Sequence, residues 1–322
     1  LTATATHDTK RGEDARARIL AISELASDWD AAVRDWASRN AAHVQHTNGK
    51  RLPSRAHEYM IYQALIGAWP GAANGDFVRR MQAYALKAAR EGKQNTSWTD
   101  PNETYESALN AFVERLLDSQ LSAGFLSAFD KFAQRTALLG ALTSLSQLAL
   151  KAMLPGVPDF YQGTELWDLS LVDPDNRRPV DFSRRTEFLN AREADWAELA
   201  SDWRSGRIKF QLTRKLLQLR AEWPAVFQQG NYQPLAVTGP HREHVIAFSR
   251  GRRNQQLIVA VGRHFAALTG GGGHWPQAWD ARLDLPSGSY EPVLSPLSDS
   301  CSGSIALSDL FSPIPVAILV SS

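Results

Sequence analysis

A change of hydrophobic period divides this chain more sharply than any other feature of its sequence. From Glu13 to Trp223 apolar side chains recur at steps of three and four, the spacing of one face of an α-helix. After Gly230 the step becomes two, the spacing of a strand with one face buried. A chain so patterned folds as a long helical region followed by an antiparallel β domain. Ile19, Ile22, Leu25, Trp29, Val33 and Trp36 line one face of a long amphipathic helix, which Asn48, Gly49 and Pro53 bring to an end. Tyr59, Tyr62, Leu65, Ile66 and Trp69 continue the period as far as Pro70. A third helix is predicted over 76–91, with Phe77, Met81, Tyr84 and Ala88 facing inward. Asp100 as cap, Pro101 in the first turn and Glu103 at the third position open a fourth. Two further helices are predicted over 121–153, so that no convincing strand occurs before Pro155. Trp29, Trp36 and Trp69 lie in phase with the apolar faces and are assigned to the core. Trp98 and Trp167 fall in loops beside charged residues, where an indole can pack on the protein or stack on a sugar ring.

Pro155 to Asp181 reads as a short strand at Val157–Tyr161 followed by a long ordered loop rich in Pro and Gly. A helix pair is predicted over 190–205 and 207–222. HVIAFSR and QQLIVAVGR then flank an RGRRN turn, and IPVAILV supplies a further strand near the end. At about 150 residues per domain, 322 residues leave room for two domains or one with an appendage. The 43% hydrophobic content and net charge of +1 are those of an ordinary globular protein. Its cations are scattered, which argues against a nucleic-acid partner or a basic membrane-binding face. The apolar stretch from Leu138 to Leu154 is interrupted by Ser, Gln and Lys151, so no membrane span is expected. Cys301 is the only cysteine, which rules out an intrachain disulfide and any cysteine-cluster metal site. The run Gly270–Gly273 lacks a following GK[ST] and reads as a loop, not a phosphate cradle. A cytoplasmic location is expected. The chain opens on Leu1 without a signal-peptide pattern and reads as part of a longer protein.

Two segments concentrate chemistry. TATHDTKRGED, from Thr4 to Asp14, packs His7, Asp8, Lys10, Arg11, Glu13 and Asp14 into eight positions. In one reading it is a helix start, with Asp8 or Thr9 as cap and the acidic pair in the first turn. In the other, His7 and Asp8 face a substrate, and Lys10 and Arg11 either donate to it or form surface salt bridges with Glu13 or Asp14. The second segment, PGVPDFYQGTELWDLSLVDPDNRRPVDF, holds Tyr161, Glu165, Trp167, Asp173, Asn176, Arg177 and Arg178. Its DPDN string can line a site or close a turn on its own backbone.

THDTKRGED resembles the region of the α-amylase superfamily of glycoside hydrolases in which a His-Asp pair follows the seventh barrel strand, in the version of the maltooligosyltrehalose synthases. PGVPDFYQGTE is similar to the eighth-strand signature GxPxxYxGxE of that superfamily, and its continuation is similar to the synthases in particular. EYMIYQALIGAWP, KAAREGKQNTSW and GALTSLSQLALK, between them, resemble the same family. The resemblance covers most of residues 1–230. It implies an α/β fold: the C-terminal part of a (β/α)8 TIM barrel with a large helical insertion, followed by an antiparallel β-sandwich. The implied parts are 1–14, the end of strand seven with a catalytic loop; 15–135, the insertion; 136–228, the last strand and helices; and 229–322, the sandwich. The implied reaction converts the reducing-end α-1,4 link of a maltooligosaccharide into an α,α-1,1 link. Asp8 becomes the carboxylate that stabilises the transition state, and His7, Lys10, Arg11, Tyr161, Trp167, Asp173, Asn176 and Arg177 become substrate contacts. Glu165 is expected to tie down backbone amides. The nucleophile and general acid are expected from barrel strands that this chain lacks, so the implied partners are the oligosaccharide and the missing N-terminal half. Neither metal nor cofactor is implied. Alternatives are another α-amylase-type hydrolase or transglycosylase, or a non-catalytic glucan-binding piece.

Overall fold

The computed structural model describes residues 2–294 and 299–321. After β1 (Thr2–Ala3), the first helical run is divided into α1 (Glu13–Leu20), a 3-10 stretch over Ala21–Leu25 and α2 (Ala26–Arg39). The apolar stripe survives the change of pitch, with Ile22, Leu25, Trp29 and Trp36 buried. Asn48 and Gly49 do more than end the helix. Both adopt positive φ, as a type I′ two-residue turn requires, and join β2 (Gln45–Thr47) to β3 (Lys50–Leu52) in a hairpin that the helical period conceals. α3 (Arg55–Ala68) and α4 (Gly75–Gly92) follow, capped by Ser54 and Asn74. α5 (Glu103–Leu117) begins later than expected. Its cap is Asn102, whose side chain accepts from the Tyr105 amide, so Asp100 and Pro101 lie outside the helix.

The two helices predicted over 121–153 are one, α6 (Ala123–Met153). Gly140 is no breaker there. A Cβ at this position would lie 2.7 Å from Arg18 Cγ and 2.8 Å from its amide nitrogen, so the glycine permits close passage of α1. Gly67 of α3 serves the same helix on another side, where a Cβ would meet Ile19 Cδ1 at 3.0 Å. Around this crossing Trp36 packs against Tyr62 and Phe129, and Trp69 against Phe129. The three tryptophans assigned to the core are buried.

The expected strand after α6 shrinks to β4 (Pro158–Asp159). It pairs in parallel with β1, Thr2 opposite Pro158 and Ala3 opposite Asp159, although the whole helical run separates them in sequence. The first helix of the predicted pair is replaced by α7 (Phe182–Asn190) and the short α8 (Trp196–Ser201), because Asp181 and Asp195 each cap a separate start. α9 (Arg207–Glu222) and α10 (Pro224–Gln229) complete the helical part.

The β region holds β5 (Gln233–Pro234), β6 (Val237–Thr238), β7 (Val245–Arg252), β8 (Gln255–Gly262), β9 (Arg282–Asp284), β10 (Tyr290–Pro292), β11 (Ser304–Ala306), a turn of helix α11 (Leu307–Leu310) and β12 (Val316–Ser321). They form an antiparallel five-stranded sheet in the order β10-β12-β8-β7-β5 and a three-stranded sheet in the order β11-β9-β6. β8 is buried continuously from Leu257 to Gly262 instead of alternating, because it lies mid-sheet with both faces covered. Arg250 on β7 is 2% exposed, with no carboxylate among its hydrogen-bond partners. It donates to the carbonyls of Met153 and Leu154 at the end of α6, and to those of Phe227 and Gly230 around the end of α10. These helix C-termini supply partial negative charge. Burial and the neighbouring Arg220 push the Arg250 pKa down.

Two compact units emerge. One comprises His7–Gly140 and Leu169–Arg178; the other comprises Leu1–Thr6, Ala141–Asp168 and Pro179–Ser322. No helix among the described residues is long and apolar enough to cross a membrane.

Candidate functional site

Seven of the nine residues singled out from the sequence fall in the first unit. His7 and Asp8 lie on an exposed segment before α1, with His7 Nε2 3.2 Å from Asp8 Oδ2. Neither Asp8 nor Thr9 caps a helix. The N-cap of α1 is Gly12, whose amide donates to the Ser170 carbonyl at 2.8 Å, and the helix opens on the buried acids Glu13 and Asp14. Lys10 and Arg11 do not pair with those acids, which are already inside the helix. Lys10 Nζ lies 3.7 Å from Glu91 Oε2, and Arg11 Nη2 donates to the Tyr84 hydroxyl at 2.8 Å. The Arg11 guanidinium also lies over the Tyr84 ring, 5.6 Å from its centroid.

The loop over 171–178 is anchored more firmly. Asp175 accepts both prongs of the Arg80 guanidinium, at 2.6 and 2.9 Å, and the Leu171 amide at 2.7 Å. It therefore closes the turn on its own backbone while it is tied to α4. Asp173 pairs with Arg177, and its carbonyl accepts from Lys87 Nζ at 2.6 Å. Asn176 Nδ2 donates to the His7 carbonyl at 2.8 Å, which joins the two segments directly. Arg178 turns back on Asp175. Arg11 Nε and Asn176 Oδ1 are buried without a hydrogen-bond partner among the described residues.

One helix face explains the assembly. Arg80, Tyr84, Lys87 and Glu91 recur on α4 at steps of four, three and four, and hold Asp175, Arg11, Asp173 and Lys10 respectively. Sequence reasoning assigned Tyr84 to the core, where its ring is, and passed over the other three. The signal was present as a second, polar stripe at helical spacing beside the apolar one. Burial would raise the Asp175 carboxyl, but the Arg80 hydrogen bond, the Leu171 amide and the charges of Arg80 and Arg178 outweigh it. The group stays below the usual carboxylate range. Burial pushes the Tyr84 phenol up, against the charge of Arg11, and so keeps its hydroxyl neutral.

Tyr161, Glu165 and Trp167 belong to the other unit. Tyr161 is half-buried, and its carbonyl closes a turn by accepting from the amide and hydroxyl of Thr164. Trp167 donates its indole N–H to the Trp203 carbonyl at 2.7 Å and packs edge-to-face on the Trp203 ring. Glu165 accepts from Arg185 Nε at 2.7 Å, and Arg185 Nη2 reaches the Gly163 carbonyl at 2.6 Å. Glu165 thus braces its loop through a guanidinium, not through backbone amides as expected; a bidentate cation was within reach on α7. Among the described residues no group of three or more His, Cys, Asp or Glu could hold a metal ion.

No family model matches the chain. Over 99% of its length it is 34% identical to the "Putative maltooligosyl trehalose synthase" of Mycobacterium tuberculosis, in both the CDC 1551 / Oshkosh and H37Rv strains. Among solved structures it is similar to maltooligosyltrehalose synthase from Arthrobacter ramosus, with a TM-score of 0.79 and 33% identity. It is also similar to the hypothetical maltooligosyl trehalose synthase of Sulfolobus tokodaii, with a TM-score of 0.75 and 29% identity. Each match covers 99% of this chain and 38% of the solved one. The chain spans 37% of the length of the curated relatives, in their C-terminal part.

Proposed function

We propose that this chain supplies the late portion of a maltooligosyltrehalose synthase, an intramolecular transglycosylase of the α-amylase superfamily. The observation that carries the reading is the parallel pairing of β1 with β4 across the whole helical run, with THDTKRG starting at Thr6, shortly after one strand, and YQGTELW starting at Tyr161, shortly after the other. Neighbouring parallel strands joined by a long crossover, each followed by polar side chains, are the geometry of adjacent strands in a (β/α)8 barrel, where the C-terminal strand ends bear the active site. On this reading 1–14 is the end of strand seven with its loop, 15–135 the helical insertion, 136–228 the last strand and its helices, and 229–322 a β-sandwich made of the two antiparallel sheets. A cytoplasmic location accords with a single buried, unpaired cysteine.

Retaining glycosidases use a nucleophilic carboxylate and an acid/base carboxyl, about 5–5.5 Å apart. In this reading both come from the portion of the relatives that this chain does not span. Asp8 is then the carboxylate that bonds the hydroxyls of the reacting sugar and stabilises its oxocarbenium-like transition state, with His7 on a neighbouring hydroxyl. An isomerase must keep the released glucose and use it in place of water. Arg11, held by Tyr84 through Nη2, and Lys10, beside Glu91, supply donors for that glucose. Asp173, Asn176 and Arg177 supply the rim. In the other unit Tyr161 and Trp167 are assigned to substrate, Trp167 through its ring because its N–H is already engaged.

The test is product analysis. The complete protein incubated with maltopentaose should yield a product ending in trehalose, while the 322-residue chain by itself should yield neither that product nor free glucose above a blank. Free glucose as the main product of the complete protein would make it a hydrolase, and turnover by the chain alone would overturn the division of the carboxylates.

A further inference from the structure

The RGRRN string between β7 and β8 folds as a hairpin whose two turn residues are Arg253 and Asn254, closed by the pairing of Arg252 with Gln255. Arg253 takes a φ of 53°, in the left-handed region that favours glycine, and the first residue of a tight hairpin turn with such a φ is ordinarily a glycine. A cation kept at a strained position points to a use for the cation. That use is not structural. Arg250 on the same strand is buried against helix-end carbonyls, whereas among the described residues the guanidiniums of Arg252 and Arg253 have no hydrogen-bond, ion-pair or ring partner in the protein.

Both arginines line a hollow of ≈ 450 Å³ whose wall the loop over 287–289 completes, and no Asp or Glu is among its described lining residues. The Ser287 and Ser289 hydroxyls line it too, again without a protein partner. Its frame is held from behind. The Asn231 amide donates to the Gly251 carbonyl at 3.0 Å, and Asn231 Oδ1 accepts from the Gly251 amide at 2.9 Å. Ser321 Oγ accepts from the Gln256 amide at 3.1 Å and donates to the Asn254 carbonyl at 3.3 Å, so both sides of the hairpin are tied down. A metal cation calls for carboxylates or imidazoles, and an apolar ligand for an apolar wall. Single-stranded nucleic acid calls for exposed rings to stack on, and the Tyr290 ring behind this wall is buried. Two unengaged guanidiniums beside hydroxyls, with no acid to oppose them, match the oxygens of a phosphoryl group. The hollow is larger than that group alone and is walled otherwise by amides and hydroxyls, which suit a small polar remainder.

We propose that the tip of the β7–β8 hairpin and the loop over 287–289 form a binding site for a small phosphate monoester, with its phosphoryl group on Arg252 and Arg253. The site takes no part in the reaction proposed above, so the two readings stand or fall separately.

The experiment is calorimetric titration of the 322-residue chain with glycerol 3-phosphate at neutral pH and constant ionic strength. The wild type is compared with Arg252→Gln, Arg253→Gly and Arg192→Gln. Arg192 is an exposed arginine of the same unit outside the hollow, and serves as the control for charge alone. The wild type and Arg192→Gln should bind alike, and each hairpin variant should weaken binding at least about tenfold, the scale of one charge-assisted hydrogen bond. Arg253→Gly should do so with a melting temperature no lower than that of the wild type, because glycine suits the turn. Absence of binding by the wild type, equal binding by the hairpin variants, or an equal loss in Arg192→Gln would overturn the site. Inorganic phosphate bound as tightly as the ester would overturn the assignment to a monoester. Tighter binding of a thymidine oligonucleotide than of either would make the surface a nucleic-acid contact and overturn the small-molecule site.

Discussion

The segment over 7–11 and the loop over 171–178 lie side by side, with Asn176 donating to the His7 carbonyl, yet they are built in opposite ways. In the first, the His7 and Asp8 side chains are 59% and 82% exposed. In the second, the central carboxylate, Asp175, is 11% exposed and locked in two prongs by an arginine that is itself 17% exposed. A pair open to water contributes little to stability, whereas a buried one becomes a liability when either partner is removed. On the proposed reading, the difference separates the exposed residues assigned to the substrate from the buried ones that hold them in place. It also shows why Asp175, next to three of the candidate residues, is best regarded as scaffold.

The largest stability effect is therefore expected at Arg80. Arg80→Ala leaves the Asp175 carboxylate buried without its bidentate partner, and should lower the unfolding free energy of its unit by about 3–5 kcal/mol, the range for a broken buried pair. Denaturant unfolding of the chain measures it, and a loss no larger than that of an exposed-pair variant would erase the contrast between the two segments. Asp175→Asn comes next, with a signature in pH. The folded carboxyl is held below its ordinary value, so the stability it contributes is complete above the unfolded value of about 3.9 and is lost as pH falls toward the folded one. The variant should be less stable at neutral pH and should show a flatter decline in acid. An acid limb identical to that of the wild type would mean that Asp175 is not ionised against Arg80.

A smaller effect, on partition and not on stability, is expected from replacing Lys10 and Arg11 together with Ala in the complete protein. A held acceptor reacts as though at very high local concentration, so its release favours water. Free glucose per trehalose-ended product should rise several-fold. An unchanged ratio, with both activities falling in proportion, would give the two cations a structural role. The smallest effect is expected at His7→Ala, whose exposed contact with Asp8 should leave the melting temperature of the chain unchanged within error.

Periodicity made the helices legible because burial on one face recurs every three or four residues, and Trp29, Trp36 and Trp69 could be placed in the core on that basis alone. It failed where one position serves two purposes. The two helices expected over 121–153 are one, and Gly140 sits in its middle, where it permits a close approach to Arg18 that no local pattern records. Asn48-Gly49 is a strong turn signal, yet its flanking strands are three residues each, too short to interrupt a helical reading. In the candidate site the segments themselves were legible, because their charged residues are crowded and their strings are specific. The α4 face was not. Arg80, Tyr84, Lys87 and Glu91 stand 73 to 95 residues from partners such as Arg11 and Asp175, and only the folded chain brings them together.

Turnover of maltopentaose by the complete protein carrying Asp8→Asn tests the division of labour most directly. The substitution keeps the size of an 82%-exposed side chain and removes its charge, so the fold has no reason to change. Turnover should fall by at least about a hundredfold, the scale of one preorganised transition-state contact, while substrate binding suffers much less. Near-normal turnover would contradict the assignment of Asp8 to the chemistry, and with it the claim that the exposed segment, not the buried pair beside it, carries the function.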